Sequence, residues 1–212
     1  MKTALLSATL AMLAVSSPLP AQQHEHGATH DHAANQPHHT SLMATDVNYQ
    51  DSLYHLDNQW HSHRKQALQL NEFAGQPVLI SMIYGSCRTA CPLLVLDAKH
   101  FVEQLPAPLR QQVQVVFVSF DHQRDKPQAL ADYAQQVGAM ADNWHFLHGQ
   151  SADIRSLAAL LGIRYRQNDE GSFDHSNVLT LLDQQGRIVW RTEGLRQDPT
   201  AGVNAAKQLG HF

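Results

Sequence analysis

The 212-residue sequence predicts a single α/β domain in which a mixed β-sheet carries helices on both faces. Two apolar runs, residues 77–84 and 113–120, have the continuous hydrophobic character of buried parallel strands. Each run is followed by a helical stretch bounded by proline or glycine. Residues 176–183 and 187–192 flank a Gln-Gln-Gly turn and predict an antiparallel hairpin near the end of the chain. Parallel crossovers followed by an antiparallel hairpin define a mixed sheet.

The composition is that of a globular protein without a basic surface. Hydrophobic residues make up 43% of the chain and charged residues 16%. A formal net charge of −4 gives no electrostatic footprint for nucleic acid or for an acidic membrane surface. The sequence therefore argues against a nucleic-acid partner.

Residues 1–21 have the pattern of a secretory signal peptide. Lys2 precedes an apolar run over residues 4–15, and helix-breaking Pro18 and Pro20 lead to Ala21. The apolar run is well short of the roughly 20 residues that span a membrane. We expect an exported, periplasmic protein that has no stable membrane span after cleavage near Ala21. The alternative is a membrane tether formed by an uncleaved N-terminal segment.

Residues 22–45 are rich in histidine and poor in large apolar residues, which predicts a disordered segment. Imidazoles two residues apart suit loose chelation of Cu(II), Ni(II) or Zn(II). The alternative is a polar spacer that binds metal incidentally. The candidate weak ligands are His24, His26, His30, His32, His38 and His39.

Residues 46–212 form the predicted folded domain. The expected elements are a hairpin-like stretch at 52–63, a strand at 77–84, a helix at 91–104 stopped by Pro106 and Pro108, a strand at 113–120, helices at 126–137 and 152–161 around a short strand at 144–147, the late hairpin, and a helix at 199–209. This order of elements is that of a thioredoxin-like fold.

The sequence contains only two cysteines, Cys87 and Cys91, and Pro92 follows them directly. Proline fits the first position of a helix, so we expect the helix to begin near Cys91. The helix dipole and nearby Arg88 would then favour thiolates, which are nucleophiles and metal ligands. A structural disulfide closing so short a loop would contribute only roughly 2 kcal/mol, against about 4.7 for a loop of a hundred residues. The spacing therefore favours a redox-active pair or a metal site.

His175 is the candidate third ligand, because it precedes the strand that should face the cysteine loop. Two thiolates suit Cu(I), and an added imidazole suits Cu(II). Thioredoxins carry a cis proline at about this place, and no proline occurs between Gly171 and Asp183. That absence argues against generic disulfide exchange.

Several motifs occur together in a fixed order. They are Gly85-Ser-Cys87-Arg-Thr-Ala-Cys91-Pro92; Phe117-Val-Ser-Phe-Asp121 with Arg124-Asp125-Lys126-Pro127; Trp144-His-Phe-Leu-His-Gly149 with Ile154, Leu157, Ala158 and Gly162; and Asp174-His175 with the following strand, Gly186 and Arg187-Ile188-Val189. From about Leu53 to the C-terminus, the chain resembles the Sco (SenC) family of thioredoxin-fold copper proteins.

The resemblance implies that Cys87, Cys91 and His175 bind copper, as Cu(I) or Cu(II). It also implies a copper metallochaperone that helps to assemble the binuclear copper centre of a haem-copper terminal oxidase. The implied partners are a copper-receiving oxidase subunit or another copper carrier, together with a thiol reductant. We assign no chemistry to Asp121 and Asp125, which suit capping or solvent-facing positions.

Three other functions remain open. A thiol-disulfide oxidoreductase would use Cys87 and Cys91 as its redox-active pair. The sequence therefore does not decide whether the protein is an enzyme. The protein could also be a copper or redox sensor, or a periplasmic metal buffer dominated by the histidine-rich segment. A peroxiredoxin-like peroxidase fits least well, because Thr89 lies between the cysteines rather than before them.

Overall fold

The structure, a computed structural model, describes residues 41–210. The predicted signal peptide and the six histidines between residues 24 and 39 lie outside the described residues. The strands are β1 (Trp60–Ser62), β2 (Ala67–Leu68), β3 (Val78–Ile83), β4 (Gln114–Ser119), β5 (Trp144–His148), β6 (Tyr165–Gln167), β7 (Phe173–His175), β8 (Val178–Leu182) and β9 (Ile188–Glu193). The α-helices are α1 (Ala90–Glu103), α2 (Ala107–Gln112), α3 (Pro127–Gln136), α4 (Ser151–Leu160) and α5 (Thr200–Leu209).

The central sheet is mixed, as predicted, and has the strand order β2-β1-β5-β4-β3-β8-β9. The neighbours β3, β4 and β5 run parallel, whereas β8 is antiparallel to both β3 and β9. All six side chains of β3 are buried, which explains its uninterrupted apolar sequence. The carboxyl ends of the parallel strands meet at one edge, and the cysteine loop follows β3 at that edge.

Helices cover both faces of the sheet. Trp190 of β9 packs on Phe101 of α1, with ring centroids 5.5 Å apart. Arg191, the next residue of β9, donates from Nε to the Leu161 carbonyl at the end of α4, at 3.3 Å. Because successive strand side chains point to opposite faces, α1 and α4 lie on opposite sides of the sheet.

Three local details differ from the sequence-based expectation. Residues 52–63 do not form a hairpin: Leu53–His55 is a single 3₁₀ turn, and β1 turns back to pair with β2. Pro106 and Pro108 end α1 as expected, but they also open α2, since proline fits the first turn of a helix. The small β6–β7 hairpin, which forms a separate two-stranded sheet, was not predicted.

Within residues 41–210, none of the helices combines the length and the apolar character that crossing a membrane requires.

Candidate metal centre

The cysteine loop joins the buried end of β3 to the first turn of α1. The Cys87 N–H donates to the Tyr84 carbonyl at 3.2 Å, which closes a tight turn after the strand. Helix α1 begins at Ala90, so Cys91 lies in its first turn and Pro92 is its third residue rather than its first. The Cys91 N–H donates to Cys87 Sγ at 3.2 Å. A free N–H at the positive end of α1 therefore points at the Cys87 sulfur.

The two thiols are buried and form no disulfide. Their pKa values are shifted in opposite directions. A hydrogen bond from the Cys91 side chain is the largest cause that lowers the pKa of Cys87. Burial raises the pKa of Cys91. Cys87 is thus the thiolate of the pair, and Cys91 holds the proton between them. The exposed Arg88 guanidinium donates to Gln136 Oε1 at 3.3 Å rather than to either sulfur.

His175 approaches the cysteines from a different part of the fold, the end of β7. Its Nδ1 lies 3.0 Å from the Ser176 carbonyl oxygen. A carbonyl only accepts, so Nδ1 carries the proton and Nε2 keeps its lone pair. That Nε2 lies 3.8 Å from Cys91 Sγ. The Ser176 carbonyl therefore fixes the orientation of the imidazole, with Nε2 toward the Cys91 sulfur.

The three predicted site residues come together as one cluster. One ligand atom each from Cys87, Cys91 and His175 lies within 4.8 Å of the other two. The residues are 2%, 0% and 0% exposed, respectively. Two sulfurs and one imidazole nitrogen form a donor set for a soft or borderline transition-metal ion.

Aromatic rings enclose the imidazole. The His175 ring centroid lies 5.0 Å from that of Phe120 and 5.9 Å from that of Tyr84. Phe173 in turn lies 5.3 Å from Tyr84 and 5.1 Å from Phe120. These rings were not predicted as part of the site, because they come from three separate loops and strands. They exclude water from the cluster and strengthen its electrostatic interactions.

Asp121 and Asp125 are buried, so neither faces solvent, whereas the expected capping role fits Asp121, whose Oδ1 accepts from the Arg124 N–H at 3.2 Å. Asp121 is 2% exposed and pairs with Arg124, while Asp125 is 3% exposed. Asp125 Oδ2 accepts from the Gly85 N–H at 2.6 Å and from Ser119 Oγ at 2.5 Å. Burial raises the pKa of Asp125, and these two hydrogen bonds oppose that shift. Asp125 thereby ties the start of the cysteine loop to the end of β4.

We expect Asp125→Ala to lower the free energy of unfolding by about 2–3 kcal/mol, since it leaves the half-buried Gly85 N–H and the buried Ser119 hydroxyl without their acceptor. Asp125→Asn is the matched control. It keeps one acceptor oxygen and should lose no more than about half as much. Urea unfolding of the metal-free proteins measures both values. Equal stability of the alanine variant and the wild type would show that Asp125 does not hold the loop.

A family model described as SCO1/SenC matches residues 46–209. An SCO1 protein homolog of Bacillus subtilis is 25% identical over 135 residues, which cover 62% of this chain and 69% of that protein.

Two solved structures share the fold. One is an SCO1/SenC family lipoprotein from Bacillus anthracis, with 21% identity, a TM-score of 0.65, and coverage of 72% of this chain and 92% of that one. The other is ScoI of Bradyrhizobium japonicum with copper bound, with 20% identity, a TM-score of 0.60, and coverage of 72% and 96%. Across three curated relatives, the matched part spans between 52% and 69% of the relative's own length.

Proposed function

Because the chain belongs to the SCO1/SenC family, we propose that it is an exported copper metallochaperone that carries Cu(I) or Cu(II) on Cys87, Cys91 and His175. The observation that carries the proposal is the convergence of three donor atoms within 4.8 Å. The acceptor we propose is the binuclear copper centre of a haem-copper terminal oxidase, reached directly or through another copper carrier.

The donor set suits a cargo that changes oxidation state. Thiolates are the soft ligands that Cu(I) prefers, and imidazole is a good ligand for Cu(II). Cys87 already has a lowered pKa, so one thiolate is formed before the metal arrives. Binding then requires loss of the Cys91 proton, since the metal ligand is the thiolate.

Three ligands also leave room for a partner to take the copper. A cysteine or histidine of the acceptor can occupy a fourth position before the bonds to this protein break. Ser86, Arg88 and Thr89 of the cysteine loop are exposed, so a partner can approach the loop from solvent. A thiol reductant would be needed to keep Cys87 and Cys91 from closing into a disulfide in an oxidising compartment.

One observation favours a second candidate function, reduction of partner disulfides. The unequal pKa values of Cys87 and Cys91 are those of a nucleophile and a resolving thiol. In this alternative, His175 serves only to lower the pKa of Cys87.

Replacing His175 alone separates the two functions, because both cysteines remain. In a host lacking the chromosomal copy, we expect the wild-type gene to restore haem-copper oxidase activity and His175→Ala to restore none. The variant should still reduce an aromatic disulfide reagent in vitro. The exposed His61 supplies the control, and His61→Ala should restore full oxidase activity. Full rescue by His175→Ala would favour the thiol-reductase function and exclude copper carriage through His175.

A further inference from the structure

Tyr133 carries a buried hydroxyl group that has no hydrogen-bond partner within residues 41–210. The residue lies in α3 and is 3% exposed. Burying a hydroxyl without a partner destabilises a fold, because the group gives up its hydrogen bonds to water. Phenylalanine would therefore suit this position better, unless the hydroxyl gains a partner in another state of the protein.

Helix α3 brings Tyr133 towards the metal centre. Gln136 lies one turn later on the same face of α3, and its Oε1 accepts from the Arg88 guanidinium of the cysteine loop at 3.3 Å. The Lys99 ammonium of α1 donates to the Val137 carbonyl at the end of α3. Helix α3 thus packs against both α1 and the cysteine loop.

The side chain of Tyr133 is held in the core and feels the charge of the cysteines. Its ring meets the Phe146 ring of β5 edge-on, with centroids 5.8 Å apart. Burial raises the pKa of Tyr133, and negative charge on Cys91 and Cys87 adds to the rise. The hydroxyl therefore stays protonated, as a donor, and lies close enough to both sulfurs to interact with their charge. It approaches the cluster from α3, whereas His175 approaches from β7.

Copper binding would create an acceptor near this hydroxyl. In the metal-free protein, Cys91 is the protonated cysteine, and its hydrogen bond goes to Cys87. A thiol sulfur is a weak acceptor, whereas a thiolate accepts charge-assisted hydrogen bonds. The Tyr84 backbone already gives the Cys91 sulfur one hydrogen bond, and a thiolate accepts more than one. The Tyr133 hydroxyl is an unused donor in position to supply the next.

We propose that the Tyr133 hydroxyl donates a hydrogen bond to the Cys91 sulfur when that sulfur binds copper. The inference rests on the proposed function, since it assumes that Cys91 is a copper ligand. Tyr133 acts through Cys91 rather than on the ion, so it is a positioning residue of the metal centre. The hydrogen bond stabilises the thiolate form that the metal requires. The partner that the hydroxyl lacks in the empty protein is thus a copper ligand of the loaded one.

The test compares Tyr133→Phe with the wild type. Reduced protein is titrated anaerobically with Cu(I) against a chelator of known affinity, and urea unfolding gives the stability of the metal-free protein. We expect the variant to bind Cu(I) at least about ten-fold more weakly, since the loss of an outer partner of a metal ligand costs about 10- to 100-fold. The metal-free variant should unfold at a higher urea concentration, because the unpaired hydroxyl is gone. A loss of packing would lower both quantities.

Tyr54→Phe is the matched control. Tyr54 also has a buried hydroxyl without a partner in the described part of the chain, but it packs on Gly186, beyond the end of β8 that is far from His175. This variant should gain stability and bind Cu(I) like the wild type. Equal Cu(I) affinity of Tyr133→Phe and the wild type would overturn the inference, as would an equal loss of affinity in both variants. Failure of the wild type itself to bind Cu(I) tightly would overturn the proposed copper site, and this inference with it.

Discussion

Substituting His175 with alanine should lower the affinity for Cu(II) by more than about a hundred-fold, because the loss of even an outer partner of a metal ligand costs 10- to 100-fold. His175 supplies the nitrogen, through an Nε2 that the Ser176 carbonyl leaves unprotonated. Cu(I) binding should suffer less, since two thiolates satisfy that ion. Cys91→Ser should weaken both oxidation states, because it removes a soft ligand that they share. Competition titrations against a chelator of known affinity measure each value.

His61→Ala is the control for this experiment. His61 is exposed on β1, so its removal deletes an imidazole without touching the cluster. Its copper affinity should equal that of the wild type. Should His175→Ala bind Cu(II) as tightly as the wild type, the nitrogen ligand must come from elsewhere in the chain.

Acidification should destabilise the metal-free fold between about pH 6.5 and pH 4, as unfolded histidines titrate near pH 6.5. Burial lowers the pKa of His63 and of His145 to about 4 each, and the Arg64 charge adds to both shifts. In that interval the unfolded chain binds protons that the folded chain does not, so the free energy of unfolding falls as the pH falls. After allowance for solvent screening, we expect each residue to contribute about 2 kcal/mol.

Other groups contribute to the same pH dependence, so the test compares variants. The Cys87 thiolate adds a loss in the same direction, whereas the raised pKa values of Asp97 and Asp125 act oppositely at the acid end. His63→Gln keeps an acceptor for the Phe146 N–H. It should remove about 2 kcal/mol of the stability lost on acidification, as measured by urea unfolding at several pH values. His61→Gln, which replaces the exposed histidine of β1, is the matched control. If the free energy of unfolding of His63→Gln fell with pH as steeply as that of the wild type, His63 would not be held neutral by the fold.

The parts of the site that follow from local sequence were predicted. The buried run of β3, the cysteine spacing and Pro92 predicted a loop at a strand end followed by a helix. The family resemblance is confirmed, and the structure brings His175 to the cysteines. The mixed sheet was predictable because its parallel strands are apolar on both faces and its late hairpin has an evident turn.

The remaining parts depend on contacts that are distant in sequence. Asp125 reads as a surface residue at a helix start, and only the approach of Gly85 and Ser119 explains its burial. The β6–β7 hairpin has short strands with polar residues, so the alternation of apolar and polar residues was too weak to predict them. Gly171, with a φ of 76° in its connecting loop, was the available clue.

The proposed copper ligands belong to two separate sheets. The cysteines follow β3 of the seven-stranded sheet, and His175 ends a strand of the two-stranded one. A bound ion would therefore act as a cross-link between them, and the local stability of the small hairpin would rise with metal occupancy. On unloading, the hairpin would regain local freedom while the large sheet kept its own. An acceptor that meets this protein could thus distinguish the loaded from the empty carrier by the rigidity of a single hairpin.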